Sequence, residues 1–165
     1  LREGWGLLWP CPDREHPGTK FLHKGKMAKG MGTFRPASYI APQEPTDDEY
    51  NMVLTTGRTY FHFHTRSMTG RTSTLEREVP NPYIEIHPED AKAHKIGPHS
   101  KVKVCSRRGA IEVEAFVSDV VDPGVVFIPF HFFEQAANAL TNPANDPVGK
   151  IPEFKVCAVK LEAMA

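Results

Sequence analysis

Cysteine is scarce in this sequence and its residues are not grouped. The three cysteines, Cys11, Cys105 and Cys157, are far apart, odd in number and form no C-x-x-C pair. This pattern argues against an iron–sulfur cluster bound by this chain and against a disulfide scaffold. It favours a reducing compartment, and we expect a cytoplasmic protein.

An excess of charge and a long apolar run are also missing. Lysine plus arginine and aspartate plus glutamate both number 20, so the composition indicates no nucleic-acid partner. The longest apolar run, residues 125–128, is far too short to cross a bilayer, and we expect no membrane insertion. Because the sequence begins with Leu1 and Arg2 rather than methionine, we expect a piece of a longer protein.

Familiar catalytic patterns are missing as well. The sequence contains no G-x-S-x-G elbow, no cysteine beside a histidine and no pair of carboxylates suited to acid–base catalysis. The glycine-rich stretch 25–32 has two glycines five residues apart but lacks the Lys-Ser/Thr and the preceding strand of a phosphate-binding P-loop. We therefore expect a binding module without a catalytic centre of its own.

The pattern of glycine, proline and apolar residues divides the chain in two. Residues 1–50 hold half of the 12 glycines and six of the 15 prolines without sustained periodicity, which predicts an irregular N-terminal arm. Residues 42–49 (PQEPTDDE) are predicted to be an acidic linker that ends this arm. Residues 51–165 then form a second domain.

Short apolar or alternating runs separated by turns fill this second domain. They predict six strands, at residues 51–56, 82–87, 101–107, 111–117, 125–130 and 155–161. A short helix is expected to begin at Pro88 and to end before Gly97, and another is expected over residues 134–140. Six short strands with two small helices predict a mainly β fold, a closed barrel rather than a layered α/β sheet.

The densest chemistry lies in residues 54–71 (LTTGRTYFHFHTRSMTGR), where a strand breaks at a glycine. Gly57 would let the backbone approach a ligand and would accept a positive φ at low cost. Arg58 and Arg66 offer forked donors suited to phosphate oxygens, and hydroxyl groups are added by Thr56, Thr65, Ser67 and Thr69. On these residues alone, a phosphate-binding loop and a solvated hairpin loop both remain open.

Three histidines raise the alternative of a metal site. His62 and His64 form an H-x-H pair, which places both rings on one face of a strand, and His131 could be a third ligand for zinc or iron. Hydrogen bonding in a packed pocket is the favoured interpretation, because no cysteine or carboxylate lies nearby in sequence to complete a tetrahedral set. A pure interaction domain without a ligand is a third possibility.

A second dense stretch, residues 130–142 (FHFFEQAANALTN), follows the fifth predicted strand. Its aromatic residues are typical of a core, but Asn138 interrupts the apolar pattern, and an amide can read a base edge or a pterin ring. Lys155, just before the last strand, could cap a phosphate or face water.

Several of these motifs, taken in order, resemble the molybdopterin oxidoreductase family, also called the dimethyl sulfoxide reductase family. The resemblance runs from about residue 50 to residue 163 and is carried by these segments: TGR (56–58), HFHT (62–65), SMT (67–69), HPEDA (87–91), SRRGAIEV (106–113), VVFIPFHF (125–132), ANALTNPANDP (137–147) and PEFKVCAVKLE (152–162). It implies a C-terminal domain that is a six-stranded double-psi β-barrel and binds molybdopterin guanine dinucleotide. Within the family the chain is most similar to the α subunits of formate dehydrogenases, which oxidise formate to carbon dioxide, and periplasmic nitrate reductases are the alternative.

The resemblance also implies which residues contact the dinucleotide. By position they are Thr56, Gly57, Arg58, His62, Phe63, His64, Thr65, Ser67, Met68, Phe130, Asn138 and Lys155. Arg66 stands where relatives frequently have glycine, so it is expected either to add a phosphate contact or to shift the loop.

Other parts of such an enzyme are expected outside this chain. The family implies that the molybdenum or tungsten is held mainly by pterin dithiolenes and by other domains of the catalytic subunit, where an iron–sulfur cluster also lies. Electron-transfer subunits are expected as partners. This chain would bind the dinucleotide and leave the redox chemistry to the cofactor and to the other domains.

Overall fold

The computed structural model describes residue 6 and residues 8–25 and 30–164. They belong to two compact units, Leu1–Ile40 and Ala41–Ala165. In the described part of the first unit there is no regular helix or strand, and the Thr19 N–H donates to the Leu8 carbonyl at 2.8 Å. Residues 26–29 of the glycine-rich stretch lie outside the described residues.

The second unit contains all six predicted strands, with ends that differ by a few residues. They are β1 (Met52–Gly57), β2 (Tyr83–Ile86), β3 (Lys101–Cys105), β4 (Ala110–Val117), β5 (Val125–Pro129) and β6 (Cys157–Ala163). The first five strands alternate over most of their length between buried and more exposed positions, as a strand with one core-facing side should. β6 differs, because its first three residues are all buried.

The strands close into a barrel in the order β1-β5-β2-β4-β3-β6. β1 pairs in parallel with β5 and β2 pairs in parallel with β4, whereas the remaining neighbours are antiparallel. Strands that are distant in sequence are therefore neighbours in the barrel, and their connections must cross its ends. The prediction of a mainly β fold built as a closed six-stranded barrel is confirmed.

The core fills the inside of this barrel. Leu54, Ile84, Val104, Val126 and Ile128 have no measurable solvent exposure. Each is branched, which suits packing on the pleated inner surface of a barrel. Burial of such a side chain contributes about 1.5–3 kcal/mol to the free energy of folding. These inward-facing residues therefore stabilise the barrel from which the loops extend.

The helices are short and lie outside the sheet. They are α1 (Ser73–Glu78) and α2 (Pro88–Ala93), and two single 3₁₀ turns occur at Thr69–Arg71 and Ala137–Ala139. The prediction of α2 is confirmed: proline begins it, and the His87 ring accepts the Glu89 N–H at 3.3 Å. The predicted helix over residues 134–140 is wrong, because Ala136 is extended (φ −69°, ψ 115°) and leaves only the 3₁₀ turn.

The acidic segment 42–49 lies against the barrel rather than extending from it. The Glu44 carboxylate accepts hydrogen bonds from Arg107 and from Arg108, and Asp47 pairs with Arg107. The Tyr50 N–H, which donates to Asp47 at 2.7 Å, lowers the pKa of that carboxyl, with Arg107 contributing. Residues 41–50 thus belong to the barrel unit, although the sequence placed the domain boundary after them. Across the described residues, no helix is long and apolar enough to span a membrane.

Candidate functional site

The C-terminal end of β1 brings together three of the predicted site residues. Lys155, which is 99 residues from Thr56, donates a hydrogen bond from Nζ to the Thr56 carbonyl oxygen. The Thr56 hydroxyl donates to the Phe154 carbonyl at 2.7 Å. The same ammonium lies 3.8 Å from the position that a Cβ on Gly57 would occupy. A basic side chain is therefore held at the point where β1 ends.

Gly57 is required for space rather than for backbone conformation. A Cβ at this position would lie 2.6 Å from Cε2 of the Phe127 ring, closer than real side chains approach. Gly57 does not make use of the positive φ that glycine accepts at low cost, since it is not among the residues with that conformation. Its carbonyl oxygen accepts the Phe130 N–H at 3.1 Å, so the glycine also joins β1 to the chain that follows β5.

Arg58 supplies a second positive charge beside this position. Its guanidinium lies over the Phe130 ring, 5.1 Å from the centroid, an arrangement that attracts a cation to the face of the ring. Among the described residues, no carboxylate pairs with Arg58. Arg58 is exposed, and its forked donors are available to an anion.

The Arg66 side chain is held by contacts within the protein. Its guanidinium pairs with Glu134, donates to the Pro80 carbonyl at 3.1 Å and lies 3.6 Å from Glu76. It also stacks 4.7 Å from the centroid of the Phe132 ring. Because these contacts engage its donors within the protein, they do not favour the phosphate contact, which was one of two alternatives for Arg66. The residue instead fixes the far side of the loop, where its own φ is 64°.

Two of the histidines considered as metal ligands use both ring nitrogens in hydrogen bonds. His62 Nε2 lies 2.7 Å from the Val79 carbonyl oxygen, which can only accept, so this nitrogen carries the proton and Nδ1 accepts from the Thr69 hydroxyl at 3.0 Å. By the same reasoning His131 donates from Nδ1 to the His64 carbonyl and accepts the Thr59 N–H at Nε2, 2.8 Å away. Neither ring has a free nitrogen for a metal.

Nothing else in the described part of the chain forms a metal site. No three histidine, cysteine, aspartate or glutamate side chains come together there as potential ligands. Burial raises the pKa of the Cys157 thiol to about 11 and also raises that of Cys105, so both thiols are protonated at neutral pH and are poor nucleophiles.

The remaining predicted residues are exposed to solvent. Phe63 stacks edge-on against His64 with ring centroids 4.4 Å apart, and both are exposed. Thr65, Ser67 and Met68 are exposed on the loop that follows. Asn138 is exposed on the second 3₁₀ turn, where its carbonyl accepts from the Thr141 hydroxyl at 3.2 Å.

Of the two asparagines in residues 130–142, Asn142 rather than Asn138 forms side-chain hydrogen bonds with other described residues. It is buried, its Nδ2 donates to Glu153 and to the Val156 carbonyl at 2.9 and 2.8 Å, and its Oδ1 accepts the Ala144 N–H. These bonds hold the loop that leads to Lys155. Asn142 is therefore a structural residue of the site.

A cavity of about 520 Å³ beside Arg58 contains two groups that the sequence analysis missed. The Thr59 hydroxyl is buried and has no hydrogen-bond partner among the residues that the structure describes. The Glu85 carboxyl, which neighbours Phe127 and Phe116 across the sheet, has its pKa raised by burial. Glu85 occupies an outward strand position, so its sequence context indicated only a solvated side chain. An unpartnered buried hydroxyl beside a free guanidinium suits a polar ligand.

Comparisons with known proteins agree with this geometry. Residues 52–158 match the family model described as the molydopterin dinucleotide binding domain. The chain is 50% identical over 159 residues to F420-dependent formate dehydrogenase 1 subunit alpha of Methanococcus maripaludis, covering 95% of this chain and 24% of that protein. Its identity to the periplasmic nitrate reductase of Desulfovibrio desulfuricans is 37% over 180 residues, with 98% and 24% covered.

A solved structure extends the agreement to the fold. Acetylene hydratase from Pelobacter acetylenicus superposes with a TM-score of 0.63 over 70% of this chain and 18% of that one, at 14% identity. The chain spans about a quarter of the length of the curated relatives that it matches. On the family match across the barrel and on these identities, the chain belongs to the molydopterin dinucleotide binding domain family.

Proposed function

We propose that this chain is the dinucleotide-binding domain of a molybdenum or tungsten oxidoreductase whose reaction is the two-electron oxidation of formate to carbon dioxide and a proton. The observation that carries the proposal is the placement of Lys155 and Arg58 at the end of β1, inside the segment matched by the family model. The identity to formate dehydrogenase α subunits supports formate as the substrate.

The residues at this strand end fit molybdopterin guanine dinucleotide. Its phosphates need cationic donors, and the Lys155 ammonium and the Arg58 guanidinium provide two of them. The unpartnered Thr59 hydroxyl offers a further donor beside Arg58. Phe63 and Tyr60 are exposed at the edge of the same loop and present apolar rings to a planar group.

The chain's own task in this proposal is to bind and orient. Lys155 and Arg58 hold phosphate oxygens, and the loop from Thr59 to Met68 carries the remaining contacts assigned by resemblance, from His62, Phe63, His64, Thr65, Ser67 and Met68, with Phe130 and Asn138 on the facing side. When bound, the metal–pterin group supplies the two-electron chemistry. The isolated domain is therefore expected to be inactive.

The remaining parts of the proposal concern the whole protein. Other domains of the same catalytic subunit, with an iron–sulfur cluster, and separate electron-transfer subunits would carry the electrons away. The names of the methanogen relatives support coenzyme F420 as the acceptor. The three free cysteines support a reducing, cytoplasmic location. A nitrate reductase is the second candidate, because identity to that group is 36–37%.

The test begins with the purified full-length protein. Its cofactor is released by acid and assayed for guanine nucleotide, and the protein is assayed for formate-dependent and nitrate-dependent dye reactions. We expect bound guanine nucleotide and formate activity, because a cofactor of this kind carries the redox chemistry of the parent enzyme. A protein without pterin nucleotide would rule out the proposal, and nitrate without formate activity would select the second candidate.

A substitution tests the assigned phosphate contact. Arg58→Ala should weaken cofactor retention by roughly 10- to 150-fold, because a charge-assisted hydrogen bond contributes about 1.5–3 kcal/mol. Arg77→Ala is the matched control, since Arg77 is exposed on α1 and pairs only with its neighbour Glu78. Equal cofactor content in both variants would remove Arg58 from the site.

A further inference from the structure

His131 joins the two ends of a six-residue segment of the loop. Its Nδ1–H donates to the His64 carbonyl oxygen, and its Nε2 accepts the Thr59 N–H at 2.8 Å. The side chain is 1% exposed. One buried ring therefore spans the segment 59–64, the part of the loop that follows Arg58 and carries His62, Phe63 and His64, three of the residues assigned to the cofactor.

The backbone conformation at the end of this segment has to be stabilised by residues outside it. His64 has a φ of 46°, and Arg66 two residues later has a φ of 64°. Residues other than glycine adopt this left-handed conformation only where the surroundings compensate its cost. Arg66 is held by Glu134 and Pro80, whereas the His64 carbonyl is held by His131.

Packing fixes the orientation of the His131 ring. Its centroid lies 5.0 Å from that of Phe130, 5.7 Å from that of His62 and 6.3 Å from that of Phe132. Because the ring is enclosed on these sides and both nitrogens are used within the protein, it is not available to a ligand. Its influence on a ligand must pass through the loop.

We propose that His131 is a positioning residue that holds segment 59–64 in its cofactor-binding shape, and that only its neutral tautomer with the proton on Nδ1 can do so. The proposal rests on the proposed function for the identity of the ligand, but the hydrogen bonds that carry it belong to the protein alone. It assigns the histidine after β5 to the loop and not to a metal or to the cofactor.

A dependence on pH follows from the hydrogen-bond pattern. An imidazolium has two donors and no acceptor, so protonation leaves the Thr59 N–H facing another N–H. Burial lowers the pKa of His131 from its ordinary value; the bond to the His64 carbonyl opposes this, and His62, Arg58 and His64 add to the lowering. No carboxylate is among the groups that shift this pKa in the described part of the chain: Glu76, which lies 4.0 Å from His62, and Glu134 both pair with Arg66. The loop should therefore loosen in acid below the ordinary histidine range.

The experiment compares three substitutions in the full-length protein. His131→Leu removes both hydrogen bonds, His131→Asn keeps a donor near the Nδ1 position, and His131→Gln keeps an acceptor near the Nε2 position. The rate of cofactor loss is measured from pH 5 to pH 8 as guanine nucleotide that passes a filter. Amide hydrogen exchange of residues 59–66 and of the barrel strands is measured on the same samples.

We expect His131→Leu to speed cofactor loss at pH 7.5 by about tenfold or more, and the Asn and Gln variants by about three- to tenfold, since each loses one hydrogen bond. The acceleration of loss in acid should occur in the unsubstituted protein and be absent from all three variants. His99→Asn, at a histidine that is 76% exposed, should behave as the unsubstituted protein.

Two results would overturn the proposal. The first is a folded His131→Leu variant that retains the cofactor and exchanges its loop amides as the unsubstituted protein does. The second is an equal loss of protection from exchange in the loop and in the barrel strands, which would make His131 a general core residue. If the unsubstituted protein contains no pterin nucleotide, the proposed function fails by itself. The exchange measurement then still decides whether His131 holds segment 59–64, because it needs no ligand.

Discussion

Lys155 donates a hydrogen bond to the carbonyl oxygen of Thr56 at the end of the neighbouring strand, because the residues before β6 lie beside the C-terminal end of β1. This bond orients the ammonium beside Gly57. Lys155→Met should keep the apolar stem but lower cofactor retention by roughly 10- to 150-fold, the effect of losing one charge-assisted contact. Guanine nucleotide bound to the purified full-length protein is the measurement.

Lys150→Met provides the control for Lys155, because Lys150 is an exposed lysine of the same loop. It should leave the nucleotide content unchanged. Lys155→Arg should retain part of the binding, since the positive charge remains while the length and donor geometry change. Full nucleotide content in Lys155→Met would show that the ammonium serves only the Thr56 carbonyl.

Gly57→Ala should destabilise the barrel by about 1–3 kcal/mol, because the new methyl group would overlap the Phe127 ring. Thermal unfolding of the 165-residue chain measures this. Phe127→Leu should reduce the penalty in the double variant, which would give a favourable coupling energy. Gly97→Ala is the matched control, since a Cβ there meets nothing within 4 Å. Additive effects of the two substitutions would contradict the predicted overlap.

Glu85→Gln should stabilise the chain at neutral and alkaline pH and have no such effect in acid. Burial raises the pKa of this carboxyl above its ordinary value. The folded state therefore binds the proton of this carboxyl more tightly than the unfolded state does. The stability that this proton gives to the folded state is complete below the pKa of Glu85 in the unfolded chain, and it is lost as the pH rises through the higher pKa of Glu85 in the folded chain. Unfolding of both forms from pH 4 to pH 8 should show a difference that grows with pH.

Glu112→Gln, at an exposed outward position of β4, serves as the comparison for Glu85. It should show no comparable growth of stability with pH. A difference between Glu85→Gln and the unsubstituted chain that is constant over pH would mean that the carboxyl is already satisfied in the folded state.

Glu44→Gln should lower the free energy of unfolding by about 1–3 kcal/mol, because this largely buried carboxylate pairs with both Arg107 and Arg108. The effect should be reduced in 0.5 M salt, which screens the partly exposed arginines. Glu78→Gln is the control, since its pair with Arg77 is exposed and such pairs contribute little. Equal effects of the two substitutions would mean that segment 41–50 is not held by its charges.

The sequence predicts the barrel well because each strand carries its own alternation. Every second residue faces the core, as shown by the buried pairs Ile84 and Ile86 in β2 and Val102 and Val104 in β3. This periodicity can be recognised from residues that are adjacent in the sequence. By contrast, α1 has no buried residue, so it leaves no periodic apolar signal and was not predicted. A purely local pattern cannot indicate such a helix.

The types of residue in the site could be predicted from the sequence, but the residues that each of them contacts could not. Arg58 and Arg66 look equivalent in sequence, yet the fold brings Glu76 and Glu134 to Arg66, whereas within the described part of the chain no carboxylate pairs with Arg58. The need for glycine at position 57 likewise comes from Phe127 on a strand that is far away in sequence. Contacts of this kind depend on tertiary structure and have no local signature.

The strand order has a consequence for how the protein folds. β1 has β5 and β6 as its neighbours, so the first of the six barrel strands along the chain can pair only after the last two are available. Pairings between distant segments are closed slowly, because the intervening chain must be ordered first. Thr56 and Lys155 therefore meet only when the barrel closes. In a refolding experiment with pulsed hydrogen exchange, protection of the β1 amides should arise together with protection of β6 and not earlier.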